Sequence, residues 1–258
     1  MDICLLASRK DIAGMNIARY IHSNLQSKVK IVEAISIYSD EVIADRIPSN
    51  ALIIYLSRHS AQSLRPSFTV HSIGNYRKAE FGGKDCTLVG CHSFLMKKLL
   101  LNINELRITE AYKPLFDYET SLEVTHHGPF SIPSIVFIEI GSSEPQWNDL
   151  EACRLIADAI NNIMFNKMDF DPTWISVIGF GGNHYATKFT QYMLESEYAF
   201  GHICAKYAIP SLTKALIHQM IQKTFPTPKF ALFDKKSMKR KQQIRTWLSE
   251  LEIEVIQV

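Results

Sequence analysis

Short apolar segments separated by helix-like segments constrain the fold of this chain more than any other feature. Residues 51–56 are continuously apolar, which is typical of a central strand whose two faces are both covered. Residues 94–106 and 148–165 instead place apolar side chains at every third or fourth position, which predicts helices that pack on a sheet. This alternation predicts an α/β fold, arranged as a three-layer α/β/α sandwich around a mixed, mostly parallel sheet.

The same patterns assign most of the chain to strands and helices. The predicted strands are residues 3–7, 29–37, 51–56, 68–71, 135–140, 173–180, 229–233 and 252–257, with one further strand just before residue 123. The predicted helices are residues 12–25, 94–106, 148–165, 188–195, 211–224 and 235–251. No repeat, low-complexity tract or linker divides the chain. We therefore predict one α/β hydrolase-type domain over residues 1–258, completed by a basic C-terminal helix and strand at about 229–258.

Composition narrows the class of protein. No apolar run is long enough to cross a bilayer and no cationic leader precedes the first strand, which predicts a cytoplasmic protein that does not bind membranes. The five cysteines are scattered among apolar residues, as is typical of reduced thiols. Neither a Gly-x-Gly-x-x-Gly turn nor a Walker sequence occurs, so we expect no nucleotide cofactor. We also expect a monomer.

The expected chemical centre is the stretch Glu-Val-Thr-His-His-Gly-Pro at residues 123–129. Neighbours on an extended chain point to opposite faces, so His126 and His127 would diverge unless a turn re-aims them. Gly128 offers unusual dihedral angles and Pro129 fixes its own φ. A shaped turn here can therefore hold both imidazoles over one pocket.

Five of the nine histidines lie at the exits of apolar strands. They are His59, His71, His126, His127 and His184. In open α/β sheets, ligands bind beyond the carboxyl ends of the strands, so these side chains could converge on one site. Glu139 ends an apolar strand and Glu144 follows it, and a buried carboxylate needs a cation, a metal or an imidazole beside it. By contrast, His22, His92 and His218 lie on or beside helices, where we expect ordinary structural contacts.

Histidine and carboxylate side chains are ligands that zinc takes in catalytic sites. We predict zinc ligands at His59, His126 and His184, and catalytic roles for His126, His127 and Glu139. In a metal-dependent reaction, Glu139 takes a proton from the attacking water. In a metal-free reaction, an imidazole or Glu139 is the base, and backbone N–H groups near Gly128 or Gly182 hold the oxyanion. Helical zinc-hydrolase signatures such as His-Glu-x-x-His are absent, so the site must be assembled from distant strands.

Two further sets of residues are expected to bind the substrate. The predicted pocket contacts are Arg58, His71, Thr125, Gly128, Gly182 and Tyr185. A basic cluster on the predicted last helix consists of Lys235, Lys236, Lys239, Arg240 and Lys241. Such a run usually forms a solvated face, but few acidic residues dilute it, so contact with a nucleic-acid backbone is a second interpretation.

Short motifs in a fixed order resemble the archaeal and plant type of D-aminoacyl-tRNA deacylase. They are Ser8-Arg9-Lys10-Asp11-Ile12-Ala13 with Asn16-Ile17, Tyr55-Leu56-Ser57-Arg58-His59-Ser60, Thr69-Val70-His71 with Gly74-Asn75, Ala79-Glu80-Phe81-Gly82-Gly83, residues 123–129, residues 137–144 with Trp147, Gly181-Gly182, His184-Tyr185-Ala186, and Gly201-His202-Ile203. The resemblance extends to about residue 203. Asn183, Phe130 and Ile73 depart from the family pattern.

The resemblance implies hydrolysis of the ester that joins a D-amino acid to the terminal ribose of tRNA, which recycles mischarged tRNA. It also implies zinc binding and a fold similar to phosphorylases or peptidyl-tRNA hydrolases. Two alternatives remain open on the residues alone. One is a zinc-dependent amidohydrolase or peptidase that acts on small substrates, and the other is a non-catalytic RNA-binding module.

Overall fold

A computed structural model describes residues 3–32, 47–48, 50–166, 169–236 and 240–258. The strands are β1 (Ile3–Ser8), β2 (Val29–Val32), β3 (Leu52–Arg58), β4 (Ser67–His71), β5 (Gly74–Asn75), β6 (Thr87–Leu88), β7 (Cys91–His92), β8 (Glu119–Leu122), β9 (Ser134–Gly141), β10 (Ile175–Phe180), β11 (Tyr198–Cys204), β12 (Thr224–Phe225), β13 (Phe230–Phe233) and β14 (Glu254–Gln257). The α-helices are α1 (Ile12–Tyr20), α2 (Ser93–Arg107), α3 (Glu144–Trp147), α4 (Leu150–Phe165), α5 (Thr187–Glu195), α6 (Lys214–Gln222) and α7 (Lys241–Ser249).

The larger sheet has six strands in the order β2-β1-β3-β9-β4-β8. Strand β4 runs antiparallel to β9, whereas the other neighbouring pairs are parallel. A second sheet has four parallel strands in the order β11-β10-β13-β14. The α/β class and the mixed, mostly parallel pairing are therefore confirmed. The division into these two larger sheets, with two-stranded sheets β12-β7 and β5-β6 beside them, is not predicted, because periodicity predicts a strand but not its neighbours in the sheet.

One hydrophobic cluster joins the two sheets. It contains Leu52, Ile54 and Leu56 of the larger sheet, and also Val177 of β10 and Phe200 of β11, together with the apolar faces of α1, α2 and α4. A second cluster lies on the opposite face of β10, where this strand packs against α6 and α7. This shared hydrophobic cluster supports a single domain. The domain count itself is still a prediction from the sequence.

The structure departs from the sequence predictions in several segments; the predicted helix 12–25, for example, ends at Tyr20. The sequence does not predict strand β11, because Gly201 and His202 interrupt its apolar run. Gly201 is needed there, since a Cβ atom would lie 2.3 Å from the Thr224 side chain. The last helix begins at Lys241 rather than at residue 235, and residues 237–239 lie outside the described part of the chain. Of the predicted strand 29–37, residues 29–32 form β2, and residues 33–37 lie outside the described part of the chain.

Helix α1 is fixed tightly to the strand that leads into the site. Asp11 caps α1 by accepting the N–H of Gly14, and its second oxygen accepts the Ser57 hydroxyl and the Arg58 N–H at the end of β3. A Cβ atom at Gly14 would lie 2.3 Å from the carbonyl oxygen of Leu56. The exit of β3 is held by these contacts. Among the described residues, no helix is long and apolar enough to span a membrane.

Candidate active site at the strand ends

The five histidines predicted from strand exits lie together in the structure. The ring centroid of His126 is 4.5 Å from that of His71, 4.4 Å from that of His127 and 4.6 Å from that of His184. The ring centroid of His59 lies 6.4 Å from that of His184. Two carboxylates lie among these rings. We call the whole set the strand-end cluster: His59, His71, Glu123, His126, His127, Glu139 and His184.

Glu123 is the member of the strand-end cluster that sequence reasoning missed. Its side chain is fully buried, 3.0 Å from Nδ1 of His59, 2.9 Å from Nε2 of His184 and 3.4 Å from Nε2 of His126. Despite these short distances, neither carboxylate oxygen has a partner with hydrogen-bond geometry among the described residues. Glu123 carries the same sequence signal as Glu139, a carboxylate next to apolar residues. Its neighbours on both sides, Leu122 and Val124, are apolar, and both are buried in the structure.

Glu139 lies within β9, in register with Ser57 of β3 and Thr69 of β4. One of its oxygens is 3.4 Å from Nδ1 of His59 and the other is 3.7 Å from Nε2 of His71. Small polar neighbours on both strands leave room for the buried carboxylate. Glu144, the other carboxylate considered from the sequence, is exposed at the start of α3.

The two carboxylates and His59 are ionised. Burial raises the pKa of the Glu123 carboxyl, but His184 and His59 outweigh it and hold this pKa well below its usual value. The pKa of Glu139 is lowered in the same way by His59 and His71, against burial. Burial lowers the pKa of His59, but both carboxylates raise it to about 11 overall. The interior of the cluster therefore holds opposite charges near neutral pH.

His126 and His127 are neutral by contrast. Burial and the neighbouring histidines lower the pKa of His126 well below its usual value, and burial with His71 lowers that of His127 to about 3. Nδ1 of His126 lies 2.8 Å from the carbonyl of Val124, and Nδ1 of His127 lies 2.5 Å from that of Gly128. A carbonyl oxygen only accepts, so Nδ1 carries the proton and the lone pair is on Nε2.

The residues present fit a metal ion. Within the described part of the chain, three groups have ligand atoms within 4.8 Å of one another: His71 with His126 and His127, Glu123 with His126 and His184, and His59 with Glu123 and Glu139. The predicted ligands His59, His126 and His184 are divided between the last two groups, and Glu123 belongs to both. The buried oxygens of Glu123 and Nε2 of His71 lack hydrogen bonds among the described residues, and a cation would satisfy them. Backbone carbonyls that hold Nδ1 of a histidine are typical of metal sites.

The turn that brings His126 and His127 together differs from the predicted one. The left-handed residue is His127, with φ of 43°, and not Gly128. Gly128 is required for close packing instead, because a Cβ atom there would lie 2.3 Å from the backbone nitrogen of Gly83. Its N–H is donated to the carbonyl of Phe81 at 2.9 Å. Gly128 therefore does not offer this N–H to an oxyanion.

The other predicted pocket residues have separate positions. Nε2 of His59 lies 2.9 Å from the Tyr185 hydroxyl. Thr125 is buried, with its hydroxyl 2.7 Å from that of Ser72 and 3.2 Å from Nδ1 of His202. Arg58 is exposed, and its guanidinium lies over the ring of Trp147. Gly182 has a φ of 76° in the loop that precedes His184.

The predicted tRNA-binding residues do not form one helical face. Lys235 and Lys236 are exposed in the turn after β13, and Lys241 begins α7. Lys239 lies outside the described residues. Arg240 donates hydrogen bonds to the carbonyls of Ile209, Pro210 and Leu212. Its guanidinium therefore joins two segments of the protein.

A mixed α/β fold with a buried histidine–carboxylate cluster at the strand ends defines a hydrolase-like class of protein. The family model for D-aminoacyl-tRNA deacylase matches residues 47–256, and the chain belongs to this family. It is 34% identical over 256 residues to a D-aminoacyl-tRNA deacylase of Staphylothermus marinus, with 92% of this chain and 91% of the relative covered. The corresponding enzyme of Archaeoglobus fulgidus is 34% identical over 255 residues, with 91% and 87% covered.

A solved structure has the same fold. It is the crystal structure of a conserved protein of unknown function, with a TM-score of 0.87 and 30% identity, and the match covers 99% of this chain and 95% of that one. This likeness extends over both sheets. The arrangement of the strand ends therefore belongs to a fold that has been observed experimentally.

Proposed function

We propose that this protein hydrolyses the ester bond of D-aminoacyl-tRNA and releases a free D-amino acid and tRNA. The observation that carries the proposal is that the whole strand-end cluster falls within the residues matched by the deacylase family. An aminoacyl ester is already reactive, so a positioned water and one polarising group are sufficient for its hydrolysis. The strand-end cluster offers groups that can position a water and groups that can polarise the ester. It lies next to a cavity lined by His126, His127 and His184.

Zinc is the proposed cofactor. His126 belongs to two of the three possible ligand groups and is the first ligand we propose, through Nε2. In one alternative the other ligands are His184 and Glu123. In the other alternative they are His71 and His127. When bound, zinc would polarise the ester carbonyl or lower the pKa of a water. A histidine binds zinc through a nitrogen lone pair. Because Nδ1 of His126 and of His127 contacts a backbone carbonyl, that lone pair is on Nε2.

The carboxylates handle the proton in the proposed reaction. Glu139 is ionised because His59 and His71 lower its pKa, so it can accept a proton from the attacking water. His59 holds both carboxylates and is itself oriented by the Tyr185 hydroxyl. Glu123 positions His59 with one of its oxygens and His184 with the other.

The substrate is proposed to be tRNA that carries a D-amino acid. The exposed Lys235 and Lys236 remain the proposed contacts for the tRNA backbone, together with Lys241. Arg240 is not included, because its guanidinium is bonded to the protein backbone. We further propose that the protein acts as a monomer in the cytoplasm, which size-exclusion chromatography and localisation of a tagged protein would test.

Matched D- and L-aminoacyl-tRNA provide the direct test. The purified protein should release the amino acid from the D-form much faster than from the L-form, and His127→Ala should abolish this release while thermal unfolding stays cooperative. Binding of tRNA without release of an amino acid would contradict the proposal and favour an RNA-binding module. Equal activity on small amides would favour an amidohydrolase.

A further inference from the structure

The cavity beside the strand-end cluster has a volume of about 220 Å³. His126, His127 and His184 form one side of it, and Phe81 and Tyr207 also line it. Both aromatic side chains are exposed, Phe81 at 62% and Tyr207 at 47%. An exposed aromatic residue beside a reactive centre is a surface on which an unpaired nucleobase can stack.

The position of Phe81 is fixed by the histidine motif itself. Its carbonyl accepts the Gly128 N–H at 2.9 Å, and the backbone of Gly82 and Gly83 lies against Gly128 so closely that no Cβ atom would fit there. Asn75 closes the same loop by donating to the carbonyl of Gly82. One backbone hydrogen bond therefore links Phe81 to the residue that follows His127.

Charge at the cavity favours an anionic ligand. Arg77 and Lys78 are exposed and line the cavity, against a single acidic lining residue, Glu80. Tyr76 also lines it, with its hydroxyl buried within the protein. Two cations and two exposed aromatic rings are the groups that recognise a single-stranded nucleotide.

We propose that this cavity binds the 3′-terminal adenosine of the tRNA, with its base against Phe81 and Tyr207 and its phosphate near Arg77 and Lys78. The inference rests on the proposed function, because the scissile ester is carried by the ribose of that nucleotide. A base held next to His127 places the ester at the mouth of the strand-end cluster. Recognition of this nucleotide is independent of the rest of the tRNA sequence.

The test compares the trinucleotide CCA with the dinucleotide CC, which lacks the terminal adenosine. Wild-type protein should bind CCA about tenfold more tightly than CC, since stacking of one base contributes on the order of 1–3 kcal/mol. Phe81→Ala and Tyr207→Ala should each remove most of this difference, whereas Tyr207→Phe should keep it. Phe165→Ala, which removes a similarly exposed ring from the end of α4, is the matched control and should behave as wild type.

The outcomes separate this inference from the proposed function. If wild-type protein deacylates D-aminoacyl-tRNA but binds CCA and CC equally, the adenosine site is wrong and the function stands. The same conclusion follows if neither alanine variant changes the CCA affinity or the KM for D-aminoacyl-tRNA. If wild-type protein releases no D-amino acid from D-aminoacyl-tRNA, the proposed function is wrong, whatever trinucleotide affinity is measured.

Discussion

The interior of the strand-end cluster contrasts sharply in charge with two histidines outside it, the half-buried His92 and the buried His202. Burial lowers the pKa of His92 to about 4 and that of His202 to about 3, so both are neutral. His59 is also buried, yet its pKa is raised to about 11 because Glu123 and Glu139 face it. Burial alone therefore produces a neutral imidazole, and paired carboxylates produce a charged one.

The contacts of the two regions explain this difference. Nδ1 of His92 accepts the Leu95 N–H and caps α2, and Nδ1 of His202 lies 3.2 Å from the Thr125 hydroxyl. Neither residue has a carboxylate among its ion-pair contacts in the described part of the chain. These histidines stabilise local structure, whereas those of the cluster share two negative charges that can bind a cation or take up a proton.

Replacing Glu123 should have the largest effect on the charge difference between His59 and the neutral histidines outside the cluster. In Glu123→Gln the cluster loses the charge that faces His59, His126 and His184, so the pKa of His59 should fall towards those of the two neutral histidines. We expect deacylation to fall by about 100-fold or more, the scale of a lost acid–base or electrostatic contribution. Single-turnover release of a D-amino acid and an NMR titration of His59 measure the two effects.

The matched control for this variant is Glu119→Gln. Glu119 lies in the same segment but is exposed, and it pairs with Arg65 at the surface. Its loss should leave the rate within about twofold, because exposed ion pairs contribute little. A near-normal rate in Glu123→Gln would remove this carboxylate from the mechanism.

Metal removal should have the next largest effect. A chelated sample should regain stability when zinc is added, by about 2.7 kcal/mol at a free zinc concentration of about 100 times Kd. This corresponds to a rise in Tm of several degrees for a chain of this size. Calorimetry with and without zinc measures the shift, and elemental analysis gives the metal content. His126→Ala should lose the response because His126 belongs to two ligand groups, and full activity in a zinc-free sample would exclude a catalytic metal.

Local patterns predict much of the fold but little of the way the cluster is held together. The apolar runs of β3 and β9 and the periodicity of α2 and α4 follow from nearest neighbours in sequence, and so do the strand-end positions of the histidines. Strand β11 and the approach of the 82–83 backbone to Gly128 depend on segments distant in sequence. The role of Glu123 is hidden in the sequence for the same reason, since His59 and His184 are its partners only in the folded chain.

Acidification should reduce the stability of the folded protein through His92, one of the two neutral histidines outside the cluster. Its folded pKa of about 4 lies below the unfolded value of 6.5, so its neutral form caps α2 fully above pH 6.5. As the pH falls from 6.5 to 4, the unfolded chain takes up the proton first and stability is lost. Between about pH 7 and pH 5 the loss should be about 1–2 kcal/mol, reduced from the full shift because the side chain is partly exposed.

His92→Asn isolates this contribution. Asparagine is a good N-cap but does not titrate, so the variant should lose less stability between about pH 7 and pH 5 than wild type. Urea unfolding at the two pH values measures the difference, to which the other histidines contribute equally in both proteins. An identical pH dependence in the variant and wild type would show that His92 does not titrate in this range.

The smallest expected effect concerns Lys235 and Lys236, which are exposed and lie far in sequence from the cluster. Replacing both with glutamine should weaken tRNA binding a few-fold at low salt and reduce the slope of log affinity against log salt by about one for each phosphate that is no longer neutralised. The rate at saturating substrate should not change, because ester hydrolysis depends on the cluster. Lys28→Gln, a change to an exposed lysine beside β2, is the control. An unchanged salt slope in the double variant would place the tRNA backbone on another surface, while the cluster would keep its assigned role.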